Sequence, residues 1–178
     1  LFIGGVYGNN RNLISVDQFP ASLTSLAYAF DQHPTAFEVP ATLPAGVTSL
    51  RGAFHWARTF NGDISGWDTS AVTDMSHMFM DATSFNSDIS FWNVARMLRA
   101  DTMFKGATSF NQQLCGAAWV NAQSTQRDMF VESSGSILRT VCPSSPQRWL
   151  ARWQEASMAI TTSLTTSSGA SVITICPN

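Results

Sequence analysis

Charge is scarce in this chain. Only 12% of its 178 residues are charged and the formal net charge is -2, about half the charged fraction of an ordinary globular domain. Lys105 is the sole lysine beside nine arginines. A dense basic patch cannot be assembled from that supply, which argues against binding nucleic acid through its phosphates. No apolar run approaches the ~18 residues that a membrane-spanning helix needs, so no span is expected. Cysteines are few and late, at Cys115, Cys142 and Cys176. Without a C-x-x-C pair or a neighbouring histidine they do not make a zinc site. N-x-S/T sequons are absent, and the chain starts at Leu1 without an initiator methionine, which is read as processing or as part of a longer protein.

What is present is small hydroxyls and apolar bulk. The chain holds 22 serines and 17 threonines, and 44% of it is hydrophobic with 11% aromatic. That composition supports a packed core and excludes a disordered chain.

A repeat of about 25 residues organises the sequence. Phe54, Phe79 and Phe104 recur at that step, as do Phe60, Phe85 and Phe110, then Trp67 and Trp92, then Asn61, Asn86 and Asn111. With small slips the frame extends back to Phe30 and Phe37 and forward to Phe130 and Ile137. Two further columns follow, Val16–Val39–Ile64–Ile89–Leu114 and Phe19–Leu43–Trp67–Trp92–Trp119. The five turns run from about residue 13 to 142. No single turn can bury these side chains, so neighbouring turns must stack at the ~4.8 Å strand spacing, each Phe on the next.

The fold expected from this is α/β, a leucine-rich-repeat-like right-handed solenoid of about five ~25-residue coils with a C-terminal cap. Strands are expected around residues 14–17, 37–40, 64–67, 89–92 and 113–116, because stretches such as Ile64-Ser65-Gly66-Trp67 alternate. Helical turns are expected at Leu26–Phe30, Leu50–Phe54, Met75–Phe79, Ala100–Phe104 and Gln126–Phe130, because Val72, Met75, Met78 and Phe79 share one helix face. Residues 1–142 form the solenoid with a leading segment and a terminal coil. Residues 143–178 form a C-terminal segment that begins at the Pro143–Pro146 break.

The stretches TFNGDISGWDTSAVTDMSHMF and MFMDATSFNSDISFWNVA resemble the repeats of BspA-like leucine-rich-repeat surface proteins. They are similar to the M-F-x-x-A-x-x-F-N-x-D-I-S-x-W repeat of mycoplasma lipoproteins, protists and microalgae. The likeness is strongest over Val47–Asn111 and covers about 130 of the 178 residues. The first two coils, FPASLTSLAYAF and LPAGVTSLRGAF, are closer to a related type. The resemblance implies a surface or secreted setting and a role in adhesion or protein binding, with no shared catalytic residues to transfer.

Site candidates are read column by column. The Asn61, Asn86, Asn111 column is expected to be a structural ladder in which inward amides serve the backbone at a tight bend. Asp63 and Asp88 sit one rung apart. A Ca²⁺ site needs more oxygen ligands than that pair offers, so turn hydrogen bonds to Ser65 and Ser90 are the favoured reading. His33, His55 and His77 share no column and are expected on exposed positions. Met75, Met78, Met97, Met103 and Met129 are expected core fillers. No nucleophile, phosphate-loop or metalloprotease motif occurs, so no catalytic, cofactor or metal residues are assigned. One coil separates Cys115 from Cys142, which favours a disulfide between them. The rival pairing is Cys142–Cys176. In Gln147–Met158 the residues Arg148, Trp149, Arg152 and Trp153 form an amphipathic helix, read either as a partner-binding face or as a cap.

The functional expectation is a non-enzymatic protein-interaction or adhesion module in an extracellular, cell-surface or other oxidising compartment. The alternative is a structural subunit buried in a larger assembly. A solenoid-type carbohydrate-active enzyme ranks below both, because only Asp63 and Asp88 align.

Overall fold

Alternate backbone N–H groups in one segment of each repeat leave that repeat altogether. In the computed structural model, Leu26, Tyr28, Phe30 and Gln32 donate to the carbonyls of Ser49, Arg51, Ala53 and His55 at 2.7–3.0 Å. Leu50, Gly52, Phe54 and Trp56 donate in the same way to Asp74, Ser76, Met78 and Met80, and the pattern repeats from Met75–Asp81 and from Ala100–Gly106. The residues between these donors bond within their own turn instead, as Ala53 N–H does to Leu50 and Met78 N–H does to Met75. Parallel bridges at Ser25, Ser49, Asp74, Arg99 and Thr125 link all five passes of the chain. Each donor therefore has either an inter-repeat or a turn partner, which is what a water-excluded stack requires.

The chain divides into two units, Leu1–Val141 and Cys142–Asn178. The structure describes residues 15–35 and 37–141. The first unit contains all of these, and Arg148, Trp149, Arg152, Trp153, Cys142 and Cys176 lie outside them.

Alternating between inter-repeat and local bonds demands an unusual backbone. Two residues in every repeat adopt the left-handed conformation, four positions apart. One set is Tyr28, Gly52, His77, Thr102 and Asp128, and the other is Gln32, Trp56, Asp81, Gly106 and Glu132, with φ between +54° and +71°. The Phe column sits midway between the two sets. Each left-handed residue gives its own N–H to the neighbouring repeat while the next N–H bonds back within the turn, and its conformation prevents the i→i−4 pattern of a helix. The five expected helical turns are accordingly not α-helical. The spacing that suggested helices comes from i→i−3 turns, whose apolar residues also recur every three or four positions.

The expected strands at 64–67 and 89–92 are turns as well. Ile64 and Trp67 are buried while Ser65 and Gly66 are exposed, and the Trp67 N–H bonds back to the Ile64 carbonyl at 3.1 Å. Extended pairing does occur near the other expected places. Ser15 bridges Glu38 in parallel, and β1 (Gln113–Leu114) pairs in parallel with β2 (Ser136–Ile137). Between them, the four-residue helix α1 (Ala117–Val120) carries Trp119 into the core.

The core is a set of aromatic columns. Phe54, Phe79 and Phe104 stack face to face at centroid distances of 5.5 and 5.6 Å, and Phe60, Phe85 and Phe110 at 6.1 and 5.8 Å. The columns also touch within a repeat, with Phe79 and Phe85 at 3.7 Å. Trp67 and Trp92 stack at 6.4 Å with an interplanar angle of 3°. Met75, Met78, Met97, Met103 and Met129 fill the remaining space, all of them buried. Parallel rings at this spacing combine area burial with about 0.5–1.5 kcal/mol per aromatic pair.

Candidate functional site

The ladder segments bury most of their apolar side chains and leave polar ones at the surface. The polar side chains form a strip that runs from Tyr28 in the first repeat to Arg127 in the fifth. The Arg51 Nε donates to the Tyr28 hydroxyl at 3.2 Å. Asp74 lies between two guanidiniums, 3.3 Å from Arg99 and 3.9 Å from Arg51. It also accepts the Ser76 N–H at 3.0 Å, so this largely buried carboxylate is satisfied on three sides. One repeat on, Asp101 accepts the Arg127 N–H and the Thr125 hydroxyl, both at 2.8 Å. These two bonds, the backbone one first, hold the Asp101 carboxyl below its ordinary pKa.

Histidines and one exposed tryptophan complete the strip. His55 Nδ1 is 2.8 Å from the Asp31 carboxylate, and its ring meets Tyr28 edge-on. His77 Nδ1 pairs with the Thr102 hydroxyl. Desolvation, then the charges of Arg51 and His55, lower the His77 pKa against the pull of Asp74 and Asp101. Trp56 is 41% exposed and carries the Arg58 guanidinium at 4.6 Å from its ring centroid, a cation–π contact. Gly52 makes room for this arrangement, since a Cβ there would collide with the Tyr28 ring and its φ is +58°.

Chemically the strip offers fixed guanidiniums, fixed carboxylates and aromatic edges on a rigid backbone. It holds no grouping of three or more His, Cys, Asp or Glu suited to a metal among the described residues. None of its pairs places a nucleophile against a base and an orienting acid.

The column residues behave differently from one another. Asn61 Oδ1 accepts the Asn86 N–H at 2.8 Å, and Asn86 Oδ1 accepts the Asn111 N–H at 2.9 Å. The amides therefore serve the next repeat. They stand at a solvent-facing edge rather than pointing inward, since Asn61 and Asn111 are exposed and Asn86 is half-buried. Asp63 and Asp88 each cap a two-residue turn through the Ser65 and Ser90 N–H groups at 3.0 Å. Bonds from Ser65 hold Asp63 below its ordinary pKa. The histidines are not all exposed. His33 is buried at 6% exposure against Phe37, and His55 and His77 are half-buried within the strip. Cys115 is buried and disulfide-bonded. Its expected partner Cys142, and the Arg148–Trp153 face, lie outside the described residues.

The strip was not singled out from the sequence. Its signal was present in the positions where the repeats differ, notably the 25-residue step from Asp74 to Arg99 and the Arg51, Ser76, Asp101, Arg127 column. Attention to matching residues hid it, because partners on a repeated surface are complementary rather than alike.

A family model described as "Mycoplasma protein of unknown function, DUF285" matches residues 24–138. No curated protein and no solved structure matches the chain. The matched range spans all four ladder interfaces and the Phe and Trp columns.

Proposed function

The chain belongs to this mycoplasma family of unknown function, and from that premise we propose that it is a non-enzymatic protein-interaction or adhesion module of a surface or secreted protein. The observation that carries the reading is the strip from Tyr28 to Arg127. Five repeats present complementary charges and aromatic edges at regular steps on a backbone that its own ladder makes rigid. Such a surface binds an extended partner by many modest contacts without a deep pocket. A BspA-like relationship and a right-handed leucine-rich-repeat-like coil are part of the same reading. They are supported by the M-F-x-x-A-x-x-F-N-x-D-I-S-x-W pattern and by parallel pairing at each repeat. An extracellular or other oxidising setting is supported by the bonded Cys115, since disulfides persist in oxidising compartments.

The test is a binding array of extracellular matrix and cell-surface proteins, run with the intact chain and with an Arg51→Gln, Arg99→Gln double variant. Arg51 is half-exposed and Arg99 exposed, and glutamine at each keeps a hydrogen-bond donor beside Asp74; thermal melting of the variant checks that its fold is retained. The expected result is a partner whose affinity falls ~10-fold in the variant and falls with added salt. Binding that neither change affects, or no binding across the array, overturns the reading.

A further inference from the structure

The second repeat departs from the third and fourth at two exposed positions whose side chains meet. Where it carries Trp56, the next two carry Asp81 and Gly106; where it carries Arg58, they carry Thr83 and Thr108. The columns are fixed by backbone bonds. Trp56, Asp81 and Gly106 each give their N–H to the following repeat, and Arg58, Thr83 and Thr108 each return theirs to the carbonyl two residues before at 2.9–3.0 Å. Aspartate and glycine suit the left-handed backbone of the first column. Trp56 holds the same conformation at φ +56° and is 41% exposed, so neither backbone preference nor burial accounts for an indole there.

What the indole does is seat Arg58, whose guanidinium lies 4.6 Å from the ring centroid. The Arg58 backbone is held at both ends. Its N–H bonds to the Trp56 carbonyl, and its own carbonyl accepts the Ser84 N–H and the Thr83 hydroxyl at 3.1 and 3.2 Å. Among the described residues no carboxylate lies within ion-pair distance of Arg58, whereas Arg51 and Arg99 share Asp74, and His55 takes Asp31. The Asp81 carboxylate leans toward the fourth repeat, where a Cβ on Gly106 would meet its Oδ1. Arg58 is therefore an exposed guanidinium held in place with its donor fork unanswered. Such a fork takes a carboxylate through two parallel hydrogen bonds, and holding it in advance lowers the ordering cost of binding.

We propose that Arg58, seated on Trp56, anchors a carboxylate from an acidic segment of the protein partner. This rests on the interaction role proposed for the strip and names the chemistry of its partner. A polyanion fits less well, because it needs several unanswered cations in line, and Asp31, Asp74 and Asp101 stand along the strip instead. A single carboxylate needs one fork. The exposed part of the indole lies beside it for the apolar stem of the acidic residue, and Trp and Arg are the residue types in which interface energy concentrates.

A peptide array probed with the intact chain tests it. Acidic peptides are printed beside twins in which Gln and Asn replace Glu and Asp. The chain is expected to hold the acidic members and not their twins. Arg58→Gln should weaken this binding ~10-fold, and Arg58→Lys should keep only part of it, because an ammonium lacks the fork. Trp56→Gln should weaken it too, and the backbone accepts glutamine there, since Gln32 stands in the same column at φ +55°. Thermal melting checks that each variant is folded. Equal binding of acid and amide twins, binding untouched by Arg58→Gln, or no peptide bound overturns the proposal. So does a sialylated oligosaccharide that binds where the peptides do not. A protein partner that responds to the Arg51→Gln, Arg99→Gln pair but not to Arg58→Gln removes the anchor and leaves the interaction role standing; failure of that pair's own test removes the role itself.

Discussion

The middle repeats and the first repeats share one backbone and differ in what they pack upon it. From Leu26 to Val131 the inter-repeat hydrogen bonds keep the same alternating pattern and nearly the same lengths. The side chains do not. Around Phe79 the rings of Phe54, Phe85, Trp92 and Phe104 are all in contact. Around Phe19 the ring contact among the described residues is the edge of Trp67, and an open cavity adjoins it. The ladder sets where the chain passes, and the columns set how much each pass contributes to stability.

The largest test of that contrast is a pair of truncations. Phe79 is fully buried and enclosed on both sides by further repeats. Phe79→Ala is expected to destabilise the protein by about 3–5 kcal/mol, as removal of a buried aromatic ring does when its surroundings cannot collapse. Phe19→Ala also removes a buried ring, but from the wall of a cavity that already meets solvent. Its effect should be clearly smaller, because no sealed void is left. Chemical denaturation of both variants measures this, and equal losses would remove the distinction between the two regions.

A smaller effect separates ring volume from ring donor. Trp92→Phe keeps most of the stacking on Trp67 and Phe79 but removes the N–H that reaches the Ile64 carbonyl. The Ile64 carbonyl keeps the Trp67 N–H, so the cost is that of one hydrogen bond, about 0.5–1.5 kcal/mol, and the melting midpoint should fall by less than in Phe79→Ala. A variant as stable as the parent would show that the indole columns act through area alone.

Some of this was legible in the sequence and some was not, for definite reasons. The Phe, Trp, Met and Asn columns could be read because each needs the same residue type at every step. Register was legible for the same cause, since a slip of one residue would expose Phe54 and Phe79 together. Local conformation was misread. Left-handed backbone is usually signalled by glycine, yet only Gly52 and Gly106 among these ten positions are glycine. Tyr28, Trp56 and Thr102 hold the same conformation, because the ladder bonds on either side fix it. Tertiary hydrogen bonding thus overrode propensity, and a three-residue turn period passed for a helix. The charged strip was hidden for the converse reason, since Arg51, Asp74 and Arg99 share no residue type and meet only when the repeats stack.

The smallest effect lies in that strip and turns on pH. His77 belongs to the middle repeats, where its ring is half-buried beside Thr102, while Arg51 and His55 add repulsion toward an imidazolium. Its pKa is therefore lower in the folded chain than the ~6.5 of an exposed histidine. A lowered pKa means that the unfolded chain takes up the proton more readily. The contribution of His77 is then fully present above pH ~6.5 and is lost as the pH falls through the folded value. His77→Gln keeps a polar side chain at this left-handed position and removes the titration. Unfolding curves between pH 7 and 5 should show a steeper loss of stability for the parent than for this variant. The difference should be well under that of Trp92→Phe, because partial exposure screens the charges. Parallel slopes in the two proteins would show that the strip does not hold His77 in its neutral form.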